Sequence, residues 1–214
     1  MKIKNKNHSN ITILDSTIKI DLLEAISFME NRVEEIIFNN EKELIWILEH
    51  NSVYTAGRGQ VCKDLKINNT PVYNIGRGGK ITWHGPGQKI IYFMVDLKIR
   101  NFDIRSFVHN LEQFIIDALL DLGIRAYRIP NLIGIWTKNK NGVGAKIASL
   151  GLRVRKGVVY HGLSINFDCD LSNFKYINPC GLTNANTTSI RELDKYITEK
   201  EFRIIIKKKI LNFI

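Results

Sequence analysis

Cysteine is too scarce and too scattered in this chain to build a covalent framework. Cys62, Cys169 and Cys180 cannot all pair within one chain, and no Cys-x-x-Cys or Cys/His cluster supplies the spacing of a zinc site. No metal is expected, and the usage fits a reducing cytoplasm. By default each cysteine is a small buried hydrophobe. Long apolar runs are missing as well. No stretch approaches the roughly 20 residues needed to cross a bilayer, so no membrane role is expected. The opening MKIKNKNHSNITI lacks the apolar middle of a secretory signal. It is basic and free of acids, but without Arg or amphipathic order it fits a targeting extension poorly. Internal repeats, low-complexity tracts and long linkers are absent, which excludes solenoids and disordered architectures.

What is present is ordinary globular material. The chain has 214 residues, 44% of them apolar and 24% charged, enough for one well-buried core and read as a single domain, 1–214. The net charge of +10 has two readings. One is an acidic partner; the other is the compositional bias of a chain rich in Lys, Ile and Asn. Basic residues group at Arg153, Arg155 and Lys156 and at Lys207, Lys208 and Lys209. No aromatic interleaving or zinc-finger pattern accompanies them, so nucleic acid is not expected as a partner.

Periodicity places the elements. Leu22 to Phe38 repeats apolar residues at helical spacing. Leu44 to Leu48 and Val72 to Ile75 are short β-type runs. Lys89 to Leu97 is apolar on both faces and reads as a central strand. Asp103 opens the clearest helix, which Gly123 stops. Leu132 to Thr137, Ala145 to Arg155 and Val158 to Phe167 follow as strands, with Asn141-Gly142 and Lys156-Gly157 as hairpin turns. A last amphipathic helix runs from about Thr198 to Phe213. The pattern predicts an α+β domain, a mixed β-sheet with helices packed on one face.

Four segments carry chemistry. Residues 76–88 hold five glycines and one proline between two strands. Glycine lets backbone approach a ligand closely, so this loop can present N–H groups to an anionic or carbonyl oxygen. It matches neither G-x-G-x-x-G nor the P-loop. Arg77, Thr82, His84 and Gln88 within it favour a site over a long turn. In Gly144–Gly151, strict alternation puts Lys146, Ala148 and Leu150 on one face and Ile147 and Ser149 on the other. From this segment alone, Lys146 reads as a lysine snorkelling from an edge strand. His161–Asn166 is another strand, with a glycine beside its histidine. In Ile177–Leu182, Cys180 sits between Pro179 and Gly181, in a loop instead of on an apolar face. That setting offers the fixed geometry and open access a nucleophile needs. Its thiol starts near pKa ~8.5, and a nearby cation lowers it.

In order and spacing these segments resemble the signatures of the lipoyl(octanoyl) transferases. The family's R-G-G-x-x-T-Y-H-G-P-G-Q is similar to residues 77–88, and its K-I-[AC]-S-L-G-[LI]-[RK] to 146–153. Its H-G-L-[AS]-[LI]-N matches 161–166, its I-N-P-C-G matches 177–181, and its L-E-H-x-x-V-[FY]-T matches 48–55. Two departures stand out. Trp83 replaces the usual tyrosine, and Asn51-Ser52 replace a frequent proline-containing pair.

The resemblance implies an α/β fold of the kind shared by biotin and lipoate ligase catalytic domains. It implies that octanoyl-acyl carrier protein donates an octanoyl thioester, that Cys180 takes the acyl group, and that a lysine of a lipoyl domain receives it. The implied acceptors are lipoyl domains of 2-oxoacid dehydrogenase complexes and the glycine cleavage H protein. Lys146 is implied as the partner that activates Cys180 and moves protons. Arg77, Gly78, Gly79, Lys80, Ile81, Thr82, Trp83, His84, Ser149, Leu150, Gly151, Gly162, Leu163 and Ser164 are implied as acyl-binding residues. No cofactor is expected, because the donor arrives activated. The competing enzyme is an ATP-dependent lipoate-protein ligase, which needs a nucleotide site and no cysteine nucleophile. The Pro-Cys-Gly loop and the compact length argue against it. A scaffold that only docks lipoyl domains is the non-enzymatic alternative. Spacing does not bring Lys146 and Cys180 together; only the resemblance does.

Overall fold

The structure, a computed structural model, describes residues 11–62, 65–177, 186–193 and 196–213. Cys180 lies outside the described residues.

Two sheets organise the chain. The larger has seven strands in the order β1-β2-β7-β11-β10-β9-β8. They are β1 (Ile11–Ile20), β2 (Glu43–His50), β7 (Gln88–Asp96), β8 (Ala126–Ile129), β9 (Leu132–Lys138), β10 (Gly144–Arg155) and β11 (Val158–Asn166). Among the described residues only β1 and β2 run parallel in it, and the helix that joins them supplies the crossover a parallel pair needs. The smaller sheet, β4-β5-β3-β6, is built from β3 (Val53–Ala56), β4 (Lys66–Ile67), β5 (Thr70–Asn74) and β6 (Thr82–His84). β7 is apolar on both faces because it is an interior strand, bonded to β2 and β11.

Three helices cover the large sheet, α1 (Leu22–Asn39), α2 (Ile104–Asp121) and α3 (Glu199–Phe213). Their ends follow local chemistry. Asp21 and Asp103 cap α1 and α2, Asp103 Oδ1 accepting from the amides of Arg105 at 2.8 Å and Ser106 at 2.9 Å. At the other end of α2, Gly123 adopts φ 74°, and the amides of Gly123 and Ile124 return to the carbonyls of Leu120 and Leu119. Thr198 and Glu201 exchange bonds at the start of α3, the N-terminal box their spacing encodes. Lys156 and Gly157, both with positive φ, form the two-residue turn between β10 and β11.

The expectation of helices on one face needs correction. Period-two alternation sends Ile45, Ile47, Ile91, Phe93 and Val95 toward α2 and α3, in a core with Phe107, Leu111, Phe202 and Ile206. The intervening Leu44, Trp46, Leu48, Ile90, Tyr92 and Met94 point the opposite way, where Ala25, Met29, Val33 and Ile36 of α1 cover them. A strand apolar on both faces requires cover on both. Buried Lys89 ties α3 to the sheet through Glu49 and Glu199. Among the described residues no helix is long and apolar enough to cross a membrane.

Candidate active site

A cavity of about 510 Å³ opens between the two sheets and α2, within the size range of small-molecule sites. Its lining draws on three of the sequence segments at once, residues 77–82 with His84, residues 149–151 with Lys146, and residues 161–164. Ile90, Val108, Leu132 and Leu150 make part of its wall apolar. Every acyl-binding candidate lines this cavity except Trp83. That indole is buried against Phe174 at 5.6 Å and donates from Nε1 to Ser52 Oγ at 3.0 Å. The two departures from the signature thus meet in space, Trp83 gaining an N–H that a tyrosine lacks and Ser52 supplying its acceptor.

Arg77 holds the glycine loop in shape. Its Nη2 donates to the Thr55 carbonyl at 2.7 Å and to Thr55 Oγ1 at 2.8 Å, and Nη1 donates to the Gly78 carbonyl at 2.9 Å. Backbone bonds from Arg58 to Arg77 and from Gly59 to Gly79 lay a second loop against it. A Cβ at Gly57 would meet the Gly78 carbonyl oxygen at 2.7 Å and Arg77 Nη1 at 2.8 Å, so only glycine permits this contact. Burial lowers the guanidinium to about 10, and all of its bonds go to neutral oxygens.

The cavity histidine His84 has a tautomer that can be read from one end of a chain. The Thr188 carbonyl only accepts, so Asn166 Nδ2 donates to it at 3.0 Å, leaving Asn166 Oδ1 to accept from Gln88 Nε2 at 2.9 Å. Gln88 Oε1 must then accept from His84 Nδ1–H at 2.7 Å. Neutral His84 keeps its Nε2 lone pair. Burial, with His50 and Arg77 nearby, lowers it to about 3. His50 is ordered likewise, its Nδ1 donating to the Ile20 carbonyl at 2.8 Å and its Nε2 accepting from the Tyr92 hydroxyl at 2.7 Å. His161 is the unusual member. It holds φ 61°, its ring stacks on Tyr160 at 5.0 Å, and its buried Nδ1 has no partner among the described residues. Such backbone costs on the order of 1–3 kcal/mol and clusters at functional sites. Burial, then Arg77 and Arg153, lowers His161 to about 3.

These shifts predict acid sensitivity. His84 and His161 take protons near 6.5 when unfolded and near 3 when folded. Between those values the unfolded chain binds more protons, so stability is complete above the upper value and is lost as pH falls through the window. The limiting slope is about 1.4 kcal/mol per pH unit for each histidine. Thermal melts should shift downward between about pH 7 and about pH 5. His161→Asn, which tolerates positive φ, should flatten that slope; an unchanged slope would show that His161 is not responsible.

Lys146 is buried, and its Nζ donates to the Ile133 carbonyl at 3.0 Å. The alternation that set it opposite Ser149 fails here. β10 pairs Lys146 with Trp136 and Ala148 with Ile135, so Ile147 is an extra residue. The bulge sends both Ile147 and Ala148 to the core beside Ile135, while Lys146 and Ser149 both line the cavity. The lysine's strand also bonds residues C-terminal to Cys180 in sequence: Lys146 N donates to Asn186 O at 2.8 Å and Thr188 N to Lys146 O at 3.0 Å. Cys169, by contrast, is partly buried against the Trp83–Phe174 cluster, and that desolvation raises its thiol to about 12, an inert state. Tyr92, Leu132 and Ile133 also line the cavity. The sequence reading missed them because an apolar strand bears no mark of which positions face a void. Among the described residues no group of three or more His, Cys, Asp or Glu is placed to hold a metal ion.

Comparison with known proteins sets this geometry in context. A family model described as the lipoyl protein ligase A/B catalytic domain matches residues 21–211. An octanoyltransferase of Ehrlichia chaffeensis is 45% identical over 195 residues, 90% of this chain and 91% of that protein. Among solved structures, a bipartite lipoate protein ligase of Thermoplasma acidophilum superposes with a TM-score of 0.67 at 16% identity, over 95% of this chain and 82% of that one. A biotin protein ligase of Aquifex aeolicus, bound to biotin and ATP, superposes at 0.55 and 15% identity, over 95% and 69%. At such identities the structural likeness speaks to fold alone.

Proposed function

The chain belongs to the lipoyl protein ligase A/B catalytic-domain family, and from that premise we propose that it is a single-domain octanoyltransferase working by double displacement through Cys180. The observation that carries this reading is the gathering of three signature segments, with Lys146, around one cavity of about 510 Å³. Its apolar wall suits an acyl chain, and its glycine-rich backbone suits a thioester carbonyl. The proposed donor is octanoyl-acyl carrier protein and the proposed acceptor a lipoyl-domain lysine, as in 2-oxoacid dehydrogenase complexes or the glycine cleavage H protein. The setting is the cytoplasm.

In the first half-reaction the Cys180 thiolate attacks the thioester carbonyl. A carbon–sulfur bond forms, the tetrahedral oxyanion collapses, and the carrier's thiolate departs with a proton from Lys146. In the second, the acceptor amine attacks the Cys180 thioester. Lys146 takes a proton from nitrogen, the amide forms, and Cys180 leaves as thiolate. Electrons and protons balance with no nucleotide, because the energy of the amide comes from the thioester. Arg77, Gly78, Gly79, Lys80, Ile81, Thr82 and His84 form one side of the proposed acyl pocket, and Ser149, Leu150, Gly151, Gly162, Leu163 and Ser164 the other. Trp83 supports this pocket from behind.

The test is the intact mass of the purified protein after mixing with octanoyl-acyl carrier protein alone. One added octanoyl group, released by hydroxylamine, is expected. No adduct, together with ATP-dependent modification of a lipoyl domain, would indicate a ligase instead; neither activity would leave a docking scaffold.

The pocket also limits selectivity. Burial of an octanoyl chain's six methylenes yields roughly 5 kcal/mol, about 0.8 each, so one methylene changes the rate only about fourfold. Hexanoyl and decanoyl carriers should therefore transfer measurably in competition assays. A thousandfold octanoyl optimum would show that a residue closes the pocket end.

A further inference from the structure

Lys146 reaches the cavity across a glycine. Gly134 of β9 has φ 126°. A Cβ built on it would lie 2.8 Å from Lys146 Nζ, closer still to Cε, and 2.9 Å from the Ala148 carbonyl oxygen. The lysine stem therefore rests over bare backbone, in a trough that any other residue would fill. The flanking residues complete the seat. The preceding Ile133 carbonyl accepts from Nζ at 3.0 Å, and the Trp136 ring lies 6.0 Å from it.

The backbone of this trough is itself held from behind. β9 and β10 are both irregular here: β10 carries the Ile147 bulge, and the β8–β9 register shifts between the Tyr127–Trp136 and Ile129–Leu132 pairs. Irregularity of this kind re-aims side chains. Glu112 of α2, buried, reaches across with Oε1 to the Gly134 amide at 3.4 Å, while its Oε2 pairs with Arg128 Nε at 3.0 Å. Arg128 is fixed to α2 a second and third time, through Gln113 Oε1 at 3.0 Å and the His109 carbonyl at 2.9 Å. A core carboxylate that takes a long bond from the Gly134 amide on one oxygen and pairs with a guanidinium on the other ties this part of β9 to α2.

We propose that Gly134 is a positioning residue for acyl transfer, its bare Cα and the Glu112–Arg128 clamp together fixing where the Lys146 ammonium sits. The proposal rests on the reading of Lys146 as the proton-transfer group. It assigns Glu112, which does not itself line the cavity, an effect on rate that passes through the lysine.

The test is single-turnover acylation by octanoyl-acyl carrier protein, with carrier affinity measured in parallel, for Gly134→Ala, Lys146→Ala and the double variant. Gly134→Ala should slow acylation about a hundredfold, the order expected for a displacement of about 1 Å, with affinity unchanged. In the Lys146→Ala background it should add nothing, because a residue acting through the lysine then has nothing to act on. Losses that multiply in the double variant overturn the proposal and leave Gly134 a structural role. Should Gly134→Ala fail to fold, Glu112→Gln and Glu112→Ala take its place. Gln keeps an acceptor for the Gly134 amide and should retain more activity than Ala; equal loss overturns the proposal. A wild-type rate in Lys146→Ala alone would remove the underlying reading, a result distinct from multiplying losses beside an impaired Lys146→Ala.

Discussion

Cys180→Ala will take up no octanoyl group from its carrier protein, and transfer to a lipoyl domain will fall by at least about a thousandfold. The size follows from the role. A covalent intermediate splits one difficult exchange into two easier ones, and without the nucleophile only binding and carbonyl polarisation remain. Cys62 and Cys169 should not substitute. The burial that raises Cys169 to about 12 keeps it a thiol at neutral pH. Intact-mass analysis of wild type and variant, each before and after hydroxylamine, reads the result directly. An octanoyl adduct that survives in Cys180→Ala would move the nucleophile elsewhere. Circular dichroism and the melting temperature serve as controls that the variant folds.

Lys146→Ala is expected to slow acylation by about 10²–10⁴-fold, the range for a lost general acid–base group. Carrier affinity should stay within about threefold, under 1 kcal/mol on that scale. The separation matters because Lys146 also fills space, its stem lying in the Gly134 trough and its ammonium over Trp136. Lys146→Met keeps much of the stem and discards the charge, so it isolates chemistry from packing. Rate loss in both variants with affinity preserved supports proton transfer. Equal loss of rate and affinity would reduce Lys146 to a binding contact.

Much of the fold was legible because it is local. Asp103 and Gly123 bracket α2 with a cap and a left-handed stop, both decided within a few residues. The Lys156-Gly157 turn sets the β10–β11 hairpin for the same reason. β1 was not legible. ITILDSTIKI mixes apolar and polar residues with no long apolar run, and becomes a strand by pairing with β2. β6 was hidden within the glycine loop, where three residues are too few to show a period. The two-sided cover of the sheet was foreshadowed by β7, whose apolar residues face both ways, though which helix takes which face depends on topology.

The site divides along the same line. Cys180 between Pro179 and Gly181, and the glycine run before His84, could be recognised from the chain by itself. Lys146 could not, since its own segment resembles an ordinary edge-strand lysine. Alternation even assigned it to the wrong face relative to Ser149. Alternation counts residues along one strand, whereas a bulge is set by hydrogen bonds to the neighbouring strand. The sequence by itself determined the candidate reagents: a cysteine between proline and glycine, a glycine-rich segment and a lysine among small residues. Only the tertiary structure decided that Lys146 and Ser149 share a cavity and that Gly134 carries the lysine's stem. Those facts depend on which strands pair and in what register, and pairing is an interaction between residues distant in the chain.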